Sequence, residues 1–136
     1  MRTFLTPLRN ALKGRLALRN DRTGGTLAHE LIPAFDSKTR RSGLLGFSSL
    51  PPGTGMVIAP TNAIHTFFMR FPIDVAFVAR DGRVVKTRES MPAWRIAAAW
   101  GGYAVVELAP GSLARTGTRP GDLVSLTLVD QAQAEC

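Results

Sequence analysis

The sequence predicts a β-rich α+β domain, a strongly curved sheet or small β-barrel with one or two short helices. Three observations predict it. From Ile64 to Arg88 apolar residues alternate along short runs, and Asp81-Gly82 stands between two of them as a turn signal. The 13 glycines and 9 prolines keep every element short without reaching the excess that marks disorder. The 136 residues, 45% apolar and 20% charged, are enough for one core and one domain.

Near the start, Phe4, Leu5, Leu8 and Leu12 share one helical face opposite Arg2, Arg9 and Lys13, and Gly14 with Arg15 ends the pattern. This reads as a surface helix or a frayed arm. Arg9, Lys13, Arg15 and Arg19 interrupt each apolar stretch that export would need, so a cytoplasmic location is expected. Leu16 and Leu18 alternate with polar or small neighbours as in a short strand, Asn20 to Gly25 is a turn, and a second strand is expected through Thr26 to Ala34. Asp36 is a suitable N-cap for a helix over residues 37–45. Leu50 to Gly55 must be loop, and Met56 to Ala59 a brief strand.

The next segment predicts the most buried part of the sheet. Phe67, Met69 and Phe71 fall on one side of an extended chain with Thr66, Phe68 and Arg70 on the other, and beyond Pro72 the residues Ile73, Val75 and Phe77 alternate with Asp74, Ala76 and Val78. Asp81-Gly82 predicts a type I′ hairpin. Met91 to Gly102 reads as a crossing loop whose tryptophans cover the sheet. Tyr103 to Leu108 returns to strand, Leu113 to Arg115 forms a one-turn helix closed by Gly117, and Leu123 to Val129 is the last strand. The expected division is a basic arm over residues 1–25, a β-rich domain over 26–129 and a flexible tail over 130–136.

The formal charge of +7 is unevenly placed. Residues 1–41 hold nine of the 17 basic residues and three of the ten acidic ones, which leaves eight against seven in the rest. No stripe of basic and aromatic residues runs through the expected folded part, which argues against nucleic acid as the partner. Arm-mediated binding to nucleic acid or an anionic surface stays open as an alternative. The single cysteine, Cys136, forms neither an internal disulfide nor a thiolate cluster, and His65 and His29 lack the spacing of a metal site, so no metal or cofactor is expected. The elements that mark serine hydrolases and phosphate-cradling loops are absent.

A resemblance becomes specific along Gly55-Met56, His65-Thr-Phe-Phe-Met69, Phe71-Pro-Ile-Asp-Val-Ala-Phe77, Asp81-Gly82, Met91-Pro92, Val106-Glu-Leu108, Pro110-Gly111 and Gly121-Asp122. Over residues 26–128 the chain resembles family 192 of the domains of unknown function, a bacterial and archaeal family, in a subgroup that contains His-Thr-Phe. Many members carry an aromatic-Trp-Met-Lys-Asn stretch where this chain has Phe67-Phe-Met-Arg70. The resemblance implies a small β-rich, barrel-like fold and no assigned reaction.

The candidate site residues are His65, Arg70, Asp74, Trp94 and Glu107. Asp74 and Glu107 lie in apolar strands, where a carboxylate must be paired, hydrogen-bonded or protonated. Each reads either as a structural acceptor or as part of a polar pocket. His65 reads as a strand-edge residue or a general base. Phe67, Phe68, Met69 and Phe71 read as core or as pocket wall, and Trp94 and Trp100 as stacking faces on a loop. The preferred function is a non-catalytic binding module with a concave face near His65, Arg70, Asp74 and Trp94, taking a small polar ligand or a peptide segment. A rim of Arg, Asp and Trp suits a sugar or an anionic metabolite. The alternative is a hydrolase pairing Asp74 with Glu107 or His65.

Overall fold

The computed structural model describes residues 2–10, 15–36, 44 and 47–129. The expected helix over residues 37–45, apart from Leu44, and the tail over residues 130–136 lie outside them. The elements are α1 (Thr6–Asn10), β1 (Arg15–Asn20), β2 (Thr26–Ala28), β3 (Glu30–Ala34), β4 (Thr54–Ile58), β5 (Ala63–His65), β6 (Ile73–Val78), β7 (Val84–Met91), β8 (Ile96–Ala98), β9 (Ala104–Leu108), α2 (Ser112–Thr116) and β10 (Val124–Val129). Among the described residues no helix is long and apolar enough to cross a membrane.

The expected β-rich α+β class holds, but among the described residues no barrel closes. These residues form three sheets: a three-stranded one in the order β10-β1-β2, a five-stranded one in the order β3-β4-β9-β6-β7, and a two-stranded ribbon of β5 and β8. The five-stranded sheet is the middle layer. One of its faces, with Val57, Ala76, Val78, Val106 and Leu108, packs on Leu18, Leu27 and Val124 of the three-stranded sheet and on Leu113 of α2. The opposite face, with Met56, Ile58, Val75, Phe77 and Val105, is covered by Leu44, Leu50, Met69 and Ala97. Burial on both sides explains why β6 and β9 read as nearly continuous apolar runs.

Residues 15–25, expected in a basic arm, belong to this structure. β1 is the centre of its sheet and pairs with β10 from Arg15↔Val129 to Asn20↔Val124. Leu5 is fully buried, and the Phe4 N–H donates to the Arg80 carbonyl at 2.8 Å. At the end of β1, buried Asn20 donates through Nδ2 to Asp122 Oδ2 at 2.9 Å and to Thr118 Oγ1 at 3.0 Å. Arg22 Nε lies 2.7 Å from Asp122 Oδ1, and this guanidinium holds the Asp122 carboxyl well below the usual carboxylate range.

Several local expectations are revised. The run Thr26–Ala34 is two strands, because the chain changes sheet at His29 and the Gly53 carbonyl accepts from both His29 and Glu30 N–H. β3 is an edge strand, carries Pro33 and runs parallel to β4. The β6–β7 hairpin exists, but not with the type I′ turn that needs two positive φ values. The Gly82 N–H donates to Ala79 O at 3.0 Å and the Ala79 N–H to Arg83 O at 2.8 Å, closing a three-residue loop with only Gly82 left-handed, at φ 96°. A Cβ on Gly82 would also meet the Val124 carbonyl at 2.5 Å. Residues 66–72 form turns, and the crossing loop contains the strand β8.

Asp74 is fully buried on the face toward α2. Its Oδ1 accepts the N–H of Ser90, a residue at φ 47° beside an irregularity in the β6–β7 ladder, at 2.8 Å. Its Oδ2 accepts the N–H of Leu113 in α2 at 3.0 Å. One carboxylate thus satisfies two backbone donors that the sheet ladder and the helix leave over. Asp74→Asn sets an amide donor against one of those N–H groups, and urea unfolding should show a loss of roughly 1–3 kcal/mol.

Candidate functional site

In the β5–β8 ribbon the register is Ala63↔Ala98, Ile64↔Ala97 and His65↔Ile96. Ile64 and Ala97 turn inward onto the core, so Ala63, His65, Ile96 and Ala98 face solvent. At the His65 end this outward face continues as a chain of rings. Phe67 stacks on His65 at 4.9 Å between centroids and on Trp94 at 5.6 Å, and Phe68 meets Trp94 edge-on at 4.7 Å. Phe68 is 70% exposed, Ile96 66% and Trp94 55%. Contiguous exposed aromatic surface of this kind marks interaction sites.

Thr66 holds the ledge together from beneath. It is fully buried; its Oγ1 donates to the Pro92 carbonyl at 2.7 Å and accepts the Arg95 N–H at 2.9 Å. Its backbone N–H donates to Arg95 O at 2.8 Å, and its carbonyl accepts from Trp94 N–H at 3.0 Å and Met69 N–H at 3.2 Å. One threonine therefore ties the turn after β5 to the turn before β8. Each turn presents a bulky residue in the left-handed region, Phe68 at φ 66° and Trp94 at φ 68°. That conformation is costly for large side chains and persists where the surroundings over-determine it.

Charge adds a second property. Arg70 and Arg95 are exposed and follow Phe68 and Trp94 by two positions and one in the same two turns, and neither residues 60–73 nor 90–103 contain an aspartate or glutamate.

The five candidate residues do not converge. His65 and Trp94 share the ledge and Arg70 lies on its loop, but Asp74 is enclosed on the far face of the middle sheet, so the expected concave face is not assembled. Glu107 faces away from Asp74. With Asp74 opposite Leu108 and Val75 opposite Glu107, the two carboxylates occupy alternate positions and project to opposite faces. Asp74 and Glu107 therefore do not face one another across the strands, and both Asp74 oxygens accept backbone N–H groups. The tryptophans, expected to cover the sheet, stand outside it, Trp100 at 97% exposure. Among the described residues no group of three or more His, Cys, Asp and Glu side chains gathers to hold a metal. Sequence reasoning weighed Phe68 only as core or pocket wall and singled out neither Thr66 nor Ile96. The usable signal was two aromatic residues beside a threonine, a pattern that core packing produces equally well.

Glu107 is 3% exposed, and among the described residues its Oε1 has no hydrogen-bond partner. It lies in a cross-sheet row with Ile32, Met56, Val75 and Arg88. Burial among these neighbours pushes its carboxyl up from an ordinary 4.5 to about 7.

The family model described as "Uncharacterized ACR", domain of unknown function family 192, matches residues 19–126. The chain belongs to that family. No curated protein matches it. Among solved structures, a protein of unknown function from Novosphingobium aromaticivorans is similar at TM-score 0.70 and 24% identity, over 82% of this chain and 83% of the other. A Sinorhizobium meliloti protein described as a candidate transcription regulator is similar at TM-score 0.71 and 24% identity, over 83% of this chain and 92% of the other. At that identity the likeness concerns the fold.

Thr66→Val removes the hydroxyl while keeping the shape, leaving the Arg95 N–H and the Pro92 carbonyl without it; chemical denaturation should record a loss of roughly 1–3 kcal/mol. For Glu107 the folded-state value lies above the unfolded one, so its contribution is complete below pH 4.5 and is lost as pH rises through about 7. Glu107→Gln should stay neutral throughout and remove a fall of roughly 3 kcal/mol from the stability profile between about pH 4.5 and 7, read as urea midpoints. An unchanged profile in the variant would refute this assignment.

Proposed function

We propose that this protein is a non-catalytic binding module whose aromatic ledge takes an extended segment of a partner protein, apolar at its centre and acidic at its flanks. The observation that carries this reading is the ring chain His65–Phe67–Trp94–Phe68, kept at the surface by Thr66 with two bulky residues in a costly backbone conformation. Surface that is expensive to present and apolar in character gains free energy when a partner covers it. Arg70 and Arg95, with no neighbouring acid in either segment, favour acidic flanks. A projecting ledge suits a peptide better than the small polar ligand that a concave pocket would hold.

The test is selection of random peptides displayed on phage against the folded protein. Enrichment should yield peptides combining aromatic or aliphatic residues with Asp or Glu. Those peptides should bind Phe68→Ala and Trp94→Ala about tenfold more weakly or worse, while Trp100→Ala binds them as the parent does. Selection that enriches no such sequences, or peptides indifferent to both ledge variants, would overturn the proposal.

A further inference from the structure

The three-stranded sheet has a free margin at β10, its outer strand. The Asp21 N–H donates to the Leu123 carbonyl at 2.8 Å, in register with the ladder from Asn20↔Val124 to Arg15↔Val129. The odd-numbered residues of β10 therefore turn their backbone groups toward β1, and the even-numbered ones turn theirs outward. At the start of the strand the outward side is occupied: the Val124 N–H donates to the Gly82 carbonyl at 2.8 Å, and Arg83 bridges to Leu123. Farther along it is open. Among the described residues no hydrogen bond reaches the N–H or the carbonyl of Leu126 or Leu128. Leu126 lines a cleft of about 430 Å³ together with Arg2, Thr3 and Pro7, which leaves room beside the edge.

The side chains add an apolar contact surface. Leu126 packs against the core, and Leu128, two positions further on the same face, is 71% exposed. An open edge ordinarily carries a charge, a proline or a cover that keeps other chains off. The run Leu123 to Val129 contains no charged residue and no proline. In a chain of net charge +7, copies repel one another over much of their surface, and an uncharged strand is where they can meet.

We infer that β10 pairs with the β10 of a second copy of this chain, antiparallel about a two-fold axis through Thr127. That register sets Leu126 opposite the partner's Leu128 and Leu128 opposite the partner's Leu126. Each pair exchanges both of its N–H···O=C bonds, so every open group of the two leucines is used. A register centred on Leu126 would instead set Leu128 against the Val124 N–H, which is already bonded to Gly82. The same pairing covers the exposed Leu128 with leucine. A contact of this extent is at the low end of interface sizes, so the dimer is reversible and forms with rising concentration. It does not rest on the ledge, whose rings belong to other turns.

Sedimentation velocity of the full chain from about 10 μM to 1 mM should show a monomer–dimer equilibrium. Leu128→Pro deletes an N–H that points away from β1 and leaves that ladder whole, and Leu128→Lys sets a charge against the partner's Leu126. Both variants, at the parental thermal midpoint, should weaken association about tenfold or more, while Phe68→Ala leaves it as in the parent. On the two-fold axis Thr127 meets its own copy with Cα atoms about 4.5 Å apart, within disulfide reach, whereas Ser125 and its copy stand about 14 Å apart. In a Cys136→Ser background, Thr127→Cys should therefore oxidise to a covalent dimer and Ser125→Cys should stay monomeric. A parent that remains monomeric up to about 1 mM, a dimer indifferent to both Leu128 variants, or equal cross-linking at residues 125 and 127 would overturn the inference. So would loss of the dimer in Phe68→Ala, which would assign the contact to the ledge.

Discussion

β6 and β9 lie side by side at the centre of a sheet that is covered on both faces, and every residue of both strands is buried. A position in such strands has no wet side to turn toward, so each side chain must be apolar or must find its partner inside the protein. Asp74 and Glu107 are the two carboxylates in these strands and resolve the constraint differently. Asp74 accepts one backbone donor from the β7 irregularity and one from α2, and so links the sheet to the helix packed on it. Glu107 has no such partner for Oε1 and its carboxyl retains a proton into the neutral range. The layer above Glu107 is the one that carries the ribbon.

The ribbon holds the turns at its two ends in place with little structure of its own. Its inward residues Ile64 and Ala97 seal the core, while its two ends lead into turns fixed by backbone hydrogen bonds. At the His65 end those turns expose rings. Loops positioned by a rigid sheet are where recognition usually resides, and here the positioning is done by a buried threonine at one end and by cross-loop amide bonds at the other.

Much of the fold was legible in the sequence, for physical reasons that also explain what was not. The apolar run of β9, the turn chemistry around Gly82 and the short helix closed by Gly117 are local signals, and they yielded elements near their observed places. The alternation from Phe67 to Phe71 was equally regular, yet it falls in turns. The Thr66 side chain and carbonyl capture backbone donors from both connections, a long-range arrangement that periodicity cannot reveal. The chain's change of sheet at His29 depends on Gly53, 24 positions away. Asp74 and Glu107 were recognisable as carboxylates in apolar strands, but their opposite orientations follow from the register of β6 on β9. His65, Arg70 and Trp94 were picked out by residue type; their separation from Asp74 needed the layers.

Pro33 has a consequence for what this molecule does in company. The five-stranded sheet has β3 at one margin and β7 at the other. A neighbouring molecule that tried to extend the sheet alongside β3 would find a missing donor at Pro33, and alongside β7 it would meet register irregularities and the basic side chains of Lys86 and Arg88. Growth by strand addition is discouraged at both margins. At the concentrations where a sticky aromatic surface would otherwise nucleate filaments, the protein can display its ledge while its main sheet resists polymerisation.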